Sequence, residues 1–295
     1  MPRFEVATSS PQLHFSKNEP SFLFVQIATV AVFLGRAWQH LYWDAPYRAL
    51  LWDEQWMRPV LEGVLGWNWQ TYVTNLATDA IIQKSIQSIG ILYLLAAIAA
   101  AGIHRWGRPA IVLLYIGAYG LVFLAFLYMK ERFFHLGQFL EYALQFGSPF
   151  LLIAIYQKQE LPHKLIFWAK IAIALTFVCH GLYAMGYYPR PGEFTSMTMA
   201  ILHVQEATAV QFLLVMGILD CVAVVVLFLP NRMVQQLGLW YCVAWGLATT
   251  LARIWAHWYP AIWTSVMLQW LHESLYRFPH FLIPLALLIT MRNRK

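Results

Sequence analysis

Charged side chains are scarce in this chain of 295 residues. Asp, Glu, Lys and Arg together make up 12% of it, whereas an ordinary globular protein carries about 25%. Hydrophobic side chains make up 60%, and the mean hydropathy is +0.55 over the whole length. This composition excludes a disordered chain and a soluble domain. We therefore expect lipid to be the solvent for most of the protein.

Cysteines and the common catalytic motifs are also scarce. The three cysteines, Cys179, Cys221 and Cys242, lie in apolar runs without a CxxC pair, so we expect them to be packing residues. The sequence contains no HExxH, GxGxxG, P-loop or GxSxG pattern. Ten histidines are present, but none form a pair at haem spacing on one helix. The sequence thus argues against both a haem and a catalytic metal.

Long apolar runs predict about eight transmembrane helices, because about 20 apolar residues cross a bilayer. The last run is short and contains Pro279 and Pro284, so we expect a kinked helix there. The predicted spans are 22–41, 85–103, 109–129, 136–156, 166–186, 208–229, 236–256 and 276–291. The predicted fold class is an all-α polytopic membrane bundle.

The distribution of basic residues predicts the orientation. With the amino terminus inside, the inner connections and termini collect Arg3, Lys17, Arg105, Arg108, Lys158, Lys164, Lys170, Arg232, Arg292, Arg294 and Lys295. The outer connections carry fewer basic residues and also contain acidic ones. Both termini are therefore predicted to be cytoplasmic. The net charge of +6 therefore requires no nucleic acid partner. Three outer segments are long, 42–84, 187–207 and 257–275, and the Trp-rich first one is expected to lie in the interface.

Two copies of a four-helix unit follow one another along the chain. The predicted layout is a tail, 1–21, then repeats at 22–157 and 165–291. Each repeat begins with a helix ending in a His-aromatic sequence, AWQHLYW or VCHGLYA, and continues with a Gly-Ile-Leu helix. The fourth helix opens with FLEYALQFGSP or WLHESLYRFP. Four helices per copy predict parallel repeats, related by an axis along the membrane normal, with any site between the halves.

Two fragments place Arg and His four residues apart, on one helical face. They are Arg36-Ala-Trp38-Gln-His40 and Arg253-Ile-Trp255-Ala-His257. The arginine could hold a carboxylate, a quinone carbonyl or a phosphate, while the histidine handles a proton. Alternatively, the arginine reaches the outer headgroups and the histidine only ends the helix. The sequence leaves both interpretations open.

Carboxylates inside the predicted spans are costly unless they are paired or neutral. Glu141 and Glu273 stand at equivalent places in the two repeats, and pairing with Arg36 or Arg253 is the simplest way to satisfy them. The more specific hypothesis is that Glu141 and Glu273 relay protons. Asp220 lies in the middle of the sixth span, so it must find a partner on another helix or stay protonated.

The second repeat resembles the DoxX-like family of small four-helix membrane proteins. The resemblance rests on the run that contains Cys179-His180-Gly181-Leu182-Tyr183, then Gly217-Ile-Leu-Asp220 and an aliphatic stretch ending at Pro230. It covers about 65 residues of the second half directly. It extends to the first half only because the two halves are predicted to be repeats of one unit. Ala184 and Met185 stand where the family usually has a Lys. The resemblance implies a bacterial cytoplasmic membrane and a link to quinone-coupled oxidation of sulfur compounds or to thiol homeostasis.

The leading hypothesis is an outward-facing polar site that binds a quinone or another small redox partner. The candidate catalytic residues, mainly for proton handling, are His40, His180, His257, Glu141 and Glu273. The candidate binding residues are Arg36, Arg253, His272, Asp220, Trp38 and Trp255. The chain has no recognisable electron carrier of its own, so it would work with a partner redox subunit or a diffusible quinone. The alternatives are a non-catalytic assembly subunit and a small-solute transporter, although the sequence shows no Gly- or Pro-interrupted helix in mid-membrane of the kind expected for transport.

Overall fold

The computed structural model describes residues 20–293 as a bundle of antiparallel helices. The described residues are 85% helical and contain no strand, which confirms the predicted fold class. The α-helices are α1 (Pro20–Tyr42), α2 (Arg48–Leu51), α3 (Glu54–Val60), α4 (Trp69–Thr74), α5 (Leu76–Ala101), α6 (Ile103–Trp106), α7 (Arg108–Glu131), α8 (Leu136–Leu140), α9 (Ala143–Lys158), α10 (His163–Met185), α11 (Gly192–Leu202), α12 (Glu206–Leu227), α13 (Arg232–Ala256), α14 (Trp263–Leu275) and α15 (Pro279–Asn293). The predicted tail, 1–21, lies almost wholly outside the described residues.

Seven helical units in the described part are long and apolar enough to cross a membrane. They are α1, α5, α7, the unit Leu136–Lys158 that joins α8 and α9, α10, α12 and α13. An eighth span forms if Pro260–Leu275 and Pro279–Arg292 are taken together, with a bend of 45° between them. The protein is therefore a multi-pass integral membrane protein.

The candidate eighth span is broken rather than merely kinked. Pro279 has no amide hydrogen and disfavours a helical conformation at Phe278, so α14 ends before it and α15 begins on it. The predicted span 276–291 covers only the second half of this unit. Its first half is α14, which the sequence analysis assigned to an outer connection.

The long connecting segments contain more helix than the sequence predicted. Asn75 accepts a hydrogen bond from the amide of Ala77 and so begins α5 at Leu76, well before the predicted start at 85. The Trp-rich segment 42–84 thus holds three short α-helices, the π-helix Leu61–Leu65 and the first turns of a span. Lys170 also differs from its assignment to a connection. It is buried in α10, where Nζ donates to the Leu227 carbonyl at 3.1 Å and to Gln235 at 2.7 Å.

The two halves pack in the same order. Helix α1 lies against α5 as α10 lies against α12, and the contacts α5–α7 and α7–α9 have counterparts in α12–α13 and α13–α15. Between the halves, α1 contacts α14 and α15, while α10 contacts α8 and α9. One apolar core, which includes Phe33, Tyr93, Leu152, Ile173 and Leu287, spans both halves. One end of the bundle carries the long connections 43–75, 186–205 and 257–262, and we call it the loop-rich end.

Matching glycines stand where the first helix of each half meets the second. A Cβ on Gly217 of α12 would lie 2.6 Å from the Gly181 carbonyl oxygen of α10. A Cβ on Gly90 of α5 would lie 3.0 Å from the Cβ of His40 on α1. Both contacts lie near the carboxyl end of the first helix. The helix backbones approach so closely here because these positions have no side chain.

We expect Gly217→Ala to lower the free energy of unfolding by about 1–3 kcal/mol, because its new methyl group would overlap a backbone carbonyl that cannot move aside easily. The measurement is thermal unfolding in detergent, followed by circular dichroism. Gly192→Ala is the matched control, since its Cβ would meet no atom within 4 Å. Equal melting temperatures for Gly217→Ala and Gly192→Ala would contradict the close packing of α10 on α12.

Candidate functional site

Most of the predicted site residues gather at the loop-rich end. Arg36, His40, Asp220, Arg253 and His272 are buried; Trp38, Glu141, His180 and Glu273 are half-buried; and Trp255 and His257 are exposed. Trp255 is 66% exposed, and the ring of His257 stacks on Trp270 at 4.2 Å. Trp255 and His257 thus lie on the surface of the loop-rich end, not in the buried group. His257 is exposed because it stands just past the end of α13.

The Arg36 guanidinium is buried among neutral groups. Arg36 is only 1% exposed. One Nη donates to Gln39 at 2.6 Å and to Tyr128 at 3.3 Å, and the other donates to Gln145 at 2.6 Å. Rings of Tyr276, Tyr142 and Tyr128 lie 3.9, 5.2 and 5.4 Å from its Cζ. We call Arg36, Gln39, Gln145 and these three tyrosines the Arg36 cluster.

No carboxylate in the described part of the chain neutralises this cation. Among the described residues, none of the ion pairs includes Arg36, and its Nε has no hydrogen-bond partner. A buried charge without a counter-charge costs several kcal/mol. Ionisable groups inside a membrane protein usually serve function, because they are so costly to keep.

Arg253 has the opposite environment. Its guanidinium forms ion pairs with Glu273 of α14 and with Glu193 of α11. The pairing of Arg253 with Glu273 is one that the sequence predicted, and it is confirmed. Glu141 is different, because it has no ion pair among the described residues and accepts a hydrogen bond from Gln138 at 2.5 Å. The two similar Arg-His fragments therefore hold one neutralised and one unneutralised arginine.

Four histidine rings at this end share one orientation. Nδ1 lies 2.6 Å from a backbone carbonyl oxygen in His40, 2.9 Å in His180 and 2.8 Å in both His257 and His280. A carbonyl only accepts, so Nδ1 carries the hydrogen and Nε2 is left as an acceptor. In His40 this acceptor lies 3.2 Å from the Tyr47 hydroxyl. The backbone thus fixes which nitrogen of each ring can receive a proton.

Interruptions in the fourth and eighth spans flank Arg36. Helix α8 gives way to α9 at Glu141 and Tyr142, and α14 gives way to α15 at residues 276–278. Tyr142 and Tyr276, whose rings face Arg36, are part of these two interruptions. Paired interruptions in corresponding spans of two halves often mark binding sites in membrane proteins.

Asp220 lies apart from the Arg36 cluster. It is 2% exposed, and it accepts a hydrogen bond from the Tyr241 hydroxyl of α13 at 2.8 Å. This is the partner on another helix that the sequence required. No hydrogen bond or ion pair between described residues joins Asp220 to Arg36 or Arg253, so its assigned binding role stays a prediction.

An ion pair fastens the Trp-rich segment to the bundle. Lys130, at the end of α7, donates to Asp53, which begins α3, and its ammonium lies 5.1 Å from the centroid of the Trp56 ring. Arg48 reinforces the segment by binding Asp44 and Asp79, each at 2.9 Å. The Lys130 ammonium holds the pKa of the Asp53 carboxyl below its ordinary value of 3.8.

We expect the Asp53–Lys130 contact to stabilise the segment 48–65 at pH values above 3.8, the ordinary pKa of Asp53. The stabilisation should be lost as the pH falls below 3.8 and the carboxylate takes up a proton. Amide hydrogen exchange at pH 5 and pH 3, corrected for the intrinsic rates, should show less protection of this segment at pH 3. Asp53→Asn should show weak protection at both values. Equal protection at both pH values in the unmodified protein would contradict the role of the ion pair.

Most residues of the Arg36 cluster are not among those predicted from the sequence. Gln39 had a signal, since it stands three residues after Arg36 on the same helix. Gln145 is a polar residue in a predicted span and also had one. Nothing in the order of residues singles out Tyr128, Tyr142 or Tyr276 from the other tyrosines, because their meeting depends on how three helical units pack.

Metal ligation finds no support in the described residues, where no group of three or more His, Cys, Asp and Glu is placed to hold an ion. Comparison of the whole chain with protein-family models, with curated proteins and with solved structures finds no match.

Proposed function

We propose that this membrane protein binds a quinone, or another small redox partner with a carbonyl or oxyanion group, at the Arg36 cluster, and takes part in membrane-linked oxidoreduction. The observation that carries the proposal is the Arg36 guanidinium, buried with neutral partners only. A cation in a medium of low dielectric attracts negative charge far more strongly than one in water. It would stabilise the charge that develops on a quinone oxygen during reduction.

Protons and electrons have separate sources in this proposal. Reduction of a quinone to its hydroquinone consumes two electrons and two protons. The electrons come from a partner redox subunit or a reduced small molecule, and the protons pass through His40, His180 and the half-buried Glu141. The histidines suit this role because Nδ1 is occupied by the backbone and Nε2 is left as the exchanging atom.

The chain is further proposed to be a tandem of two DoxX-like units. Its support is the repeated order of helix contacts and the matched glycines, Gly90 and Gly217, at the same crossing in each half. The halves are no longer equivalent at the site, because Arg36 of α1 has no basic counterpart at Thr176, which stands four residues before His180 in α10.

The test is the quinone content of the purified protein. The protein is extracted from its membrane in mild detergent, and an organic extract is analysed by mass spectrometry. We expect quinone in a fixed ratio to the chain, and less of it in the double variant His40→Ala/His180→Ala. A wild-type protein without quinone, which also fails to bind an added short-chain quinone, would overturn the proposal.

A small-solute transporter is the second candidate, favoured by the interruptions at Glu141–Tyr142 and at 276–278. It predicts uptake of an anionic solute into proteoliposomes that depends on Arg36. Quinone binding without such uptake decides for the first proposal.

A further inference from the structure

Polar atoms without partners are concentrated where α14 gives way to α15. Ser274, near the end of α14, is 1% exposed, and its Oγ has no hydrogen-bond partner among the described residues. His280, the second residue of α15, is 5% exposed, and its Nε2 has none either. Buried polar atoms in native proteins are nearly always satisfied by protein, water or ligand. We therefore expect a water or a ligand at this break to form the hydrogen bonds that the described residues do not supply.

The geometry of His280 fixes what it can bind. Its Nδ1–H donates to the Arg277 carbonyl at 2.8 Å, so the buried Nε2 can only accept a hydrogen bond. His180 packs against it, with the two ring centroids 5.4 Å apart and the planes at 88°. His180 is oriented in the same way, by the carbonyl of Thr176 at 2.9 Å. Its Nδ1 hydrogen is therefore already committed and cannot satisfy His280.

Arg36 presents the opposite chemistry nearby. Its guanidinium has donors only, and the ring of Tyr276 covers it at 3.9 Å. Tyr276 lies in the break, and His280, four residues further along the chain, is the second residue of α15. The segment between α14 and α15 thus carries both Tyr276, whose ring covers the donor-only Arg36, and the acceptor-only Nε2 of His280.

We propose that Ser274 and His280 form a subsite for a ligand hydroxyl, and that the hydroxyl of a reduced quinone is its occupant. The inference rests on the proposed function and deepens it. Arg36 favours the carbonyl or oxyanion of the ligand, whereas His280 Nε2 favours the hydroxyl that is present only in the hydroquinone. The site consequently distinguishes the reduced form from the oxidised form by one hydrogen bond.

The test compares the affinities of a short-chain hydroquinone and its quinone, measured anaerobically by quenching of tryptophan fluorescence. We expect His280→Phe, which keeps a flat ring but removes the acceptor, to weaken hydroquinone binding about tenfold and quinone binding less than twofold. His280→Gln, whose amide oxygen can accept, should restore part of the loss. Ser274→Ala should weaken hydroquinone binding several-fold without disturbing the histidine.

Matched controls and outcomes separate the two proposals. His203→Asn changes a histidine beyond the end of α11 and should leave both affinities unchanged. If the wild type binds quinone but His280→Phe and Ser274→Ala keep full hydroquinone affinity, a water fills the subsite and only this inference falls. An equal loss for both redox forms also overturns it, because the role of His280 would then be structural. A wild type that binds neither form overturns the proposed function itself.

Discussion

Arg36→Gln is expected to weaken the binding of an oxidised short-chain quinone about 10- to 100-fold while leaving the protein folded. A hydrogen bond to a charged group contributes about 1.5–3 kcal/mol, and each 1.4 kcal/mol is a factor of ten in affinity. The fold should tolerate the change, because no carboxylate loses its partner and removal of a buried, unneutralised charge relieves a desolvation cost. The measurement is a fluorescence titration in nanodiscs, with the melting temperature recorded for each variant.

Two variants control this result. Arg58→Gln removes the same charge from an exposed arginine of α3, which is paired with Glu54 and Glu62, and should leave the affinity unchanged. Arg36→Lys keeps the charge but loses the fork that reaches Gln39 and Gln145, so it should bind with intermediate affinity. Loss of affinity in Arg58→Gln as well would show that the surface charge, not Arg36, attracts the ligand.

Glu273→Gln is expected to lower the free energy of unfolding by about 2 kcal/mol. Breaking a fully buried ion pair costs about 3–5 kcal/mol, because it leaves one charge uncompensated. The loss here is smaller, since Glu193 still pairs with Arg253, although the Glu193 side chain is 58% exposed. Thermal unfolding in detergent measures the effect as a lower melting temperature.

A double variant separates loss of the pair from loss of packing. In Arg253→Met/Glu273→Leu both charges are gone, and apolar side chains of similar length fill the space. We expect most of the stability to return, because well-packed apolar residues commonly replace a buried ion pair without net cost. A double variant that melts below Glu273→Gln would mean that the ion pair itself contributes the stability.

Seven of the eight spans predicted from long apolar runs are helical units long and apolar enough to cross a membrane, and the bounds differ from the prediction where local chemistry decides. Asn75 starts α5 early because its side chain satisfies a free amide, and Pro279 divides the last span because it cannot donate one. Both residues are visible in the sequence. A scan for apolar runs overlooks them because it weighs hydropathy and not capping or breaking residues.

The ion pair of Arg253 could be predicted from energetics alone, since an intramembrane carboxylate needs a partner. The neutral cluster around Arg36 could not, because it depends on Tyr128, Tyr142 and Tyr276, which come from three helical units in two halves. The two Arg-His fragments looked alike for a related reason. Spacing places side chains on one helical face, but it does not tell which neighbours that face will meet.

Photolabelling with an azidoquinone tests the central claim most directly, because it asks where a quinone lies rather than whether one is bound. The protein is labelled in membranes, digested and analysed by mass spectrometry. The label should fall on peptides that contain Arg36, Tyr142 or residues 274–280, and an excess of unlabelled quinone should suppress it. Label spread over the lipid-facing residues of α7 and α12, unaffected by the competitor, would contradict a quinone site at the Arg36 cluster.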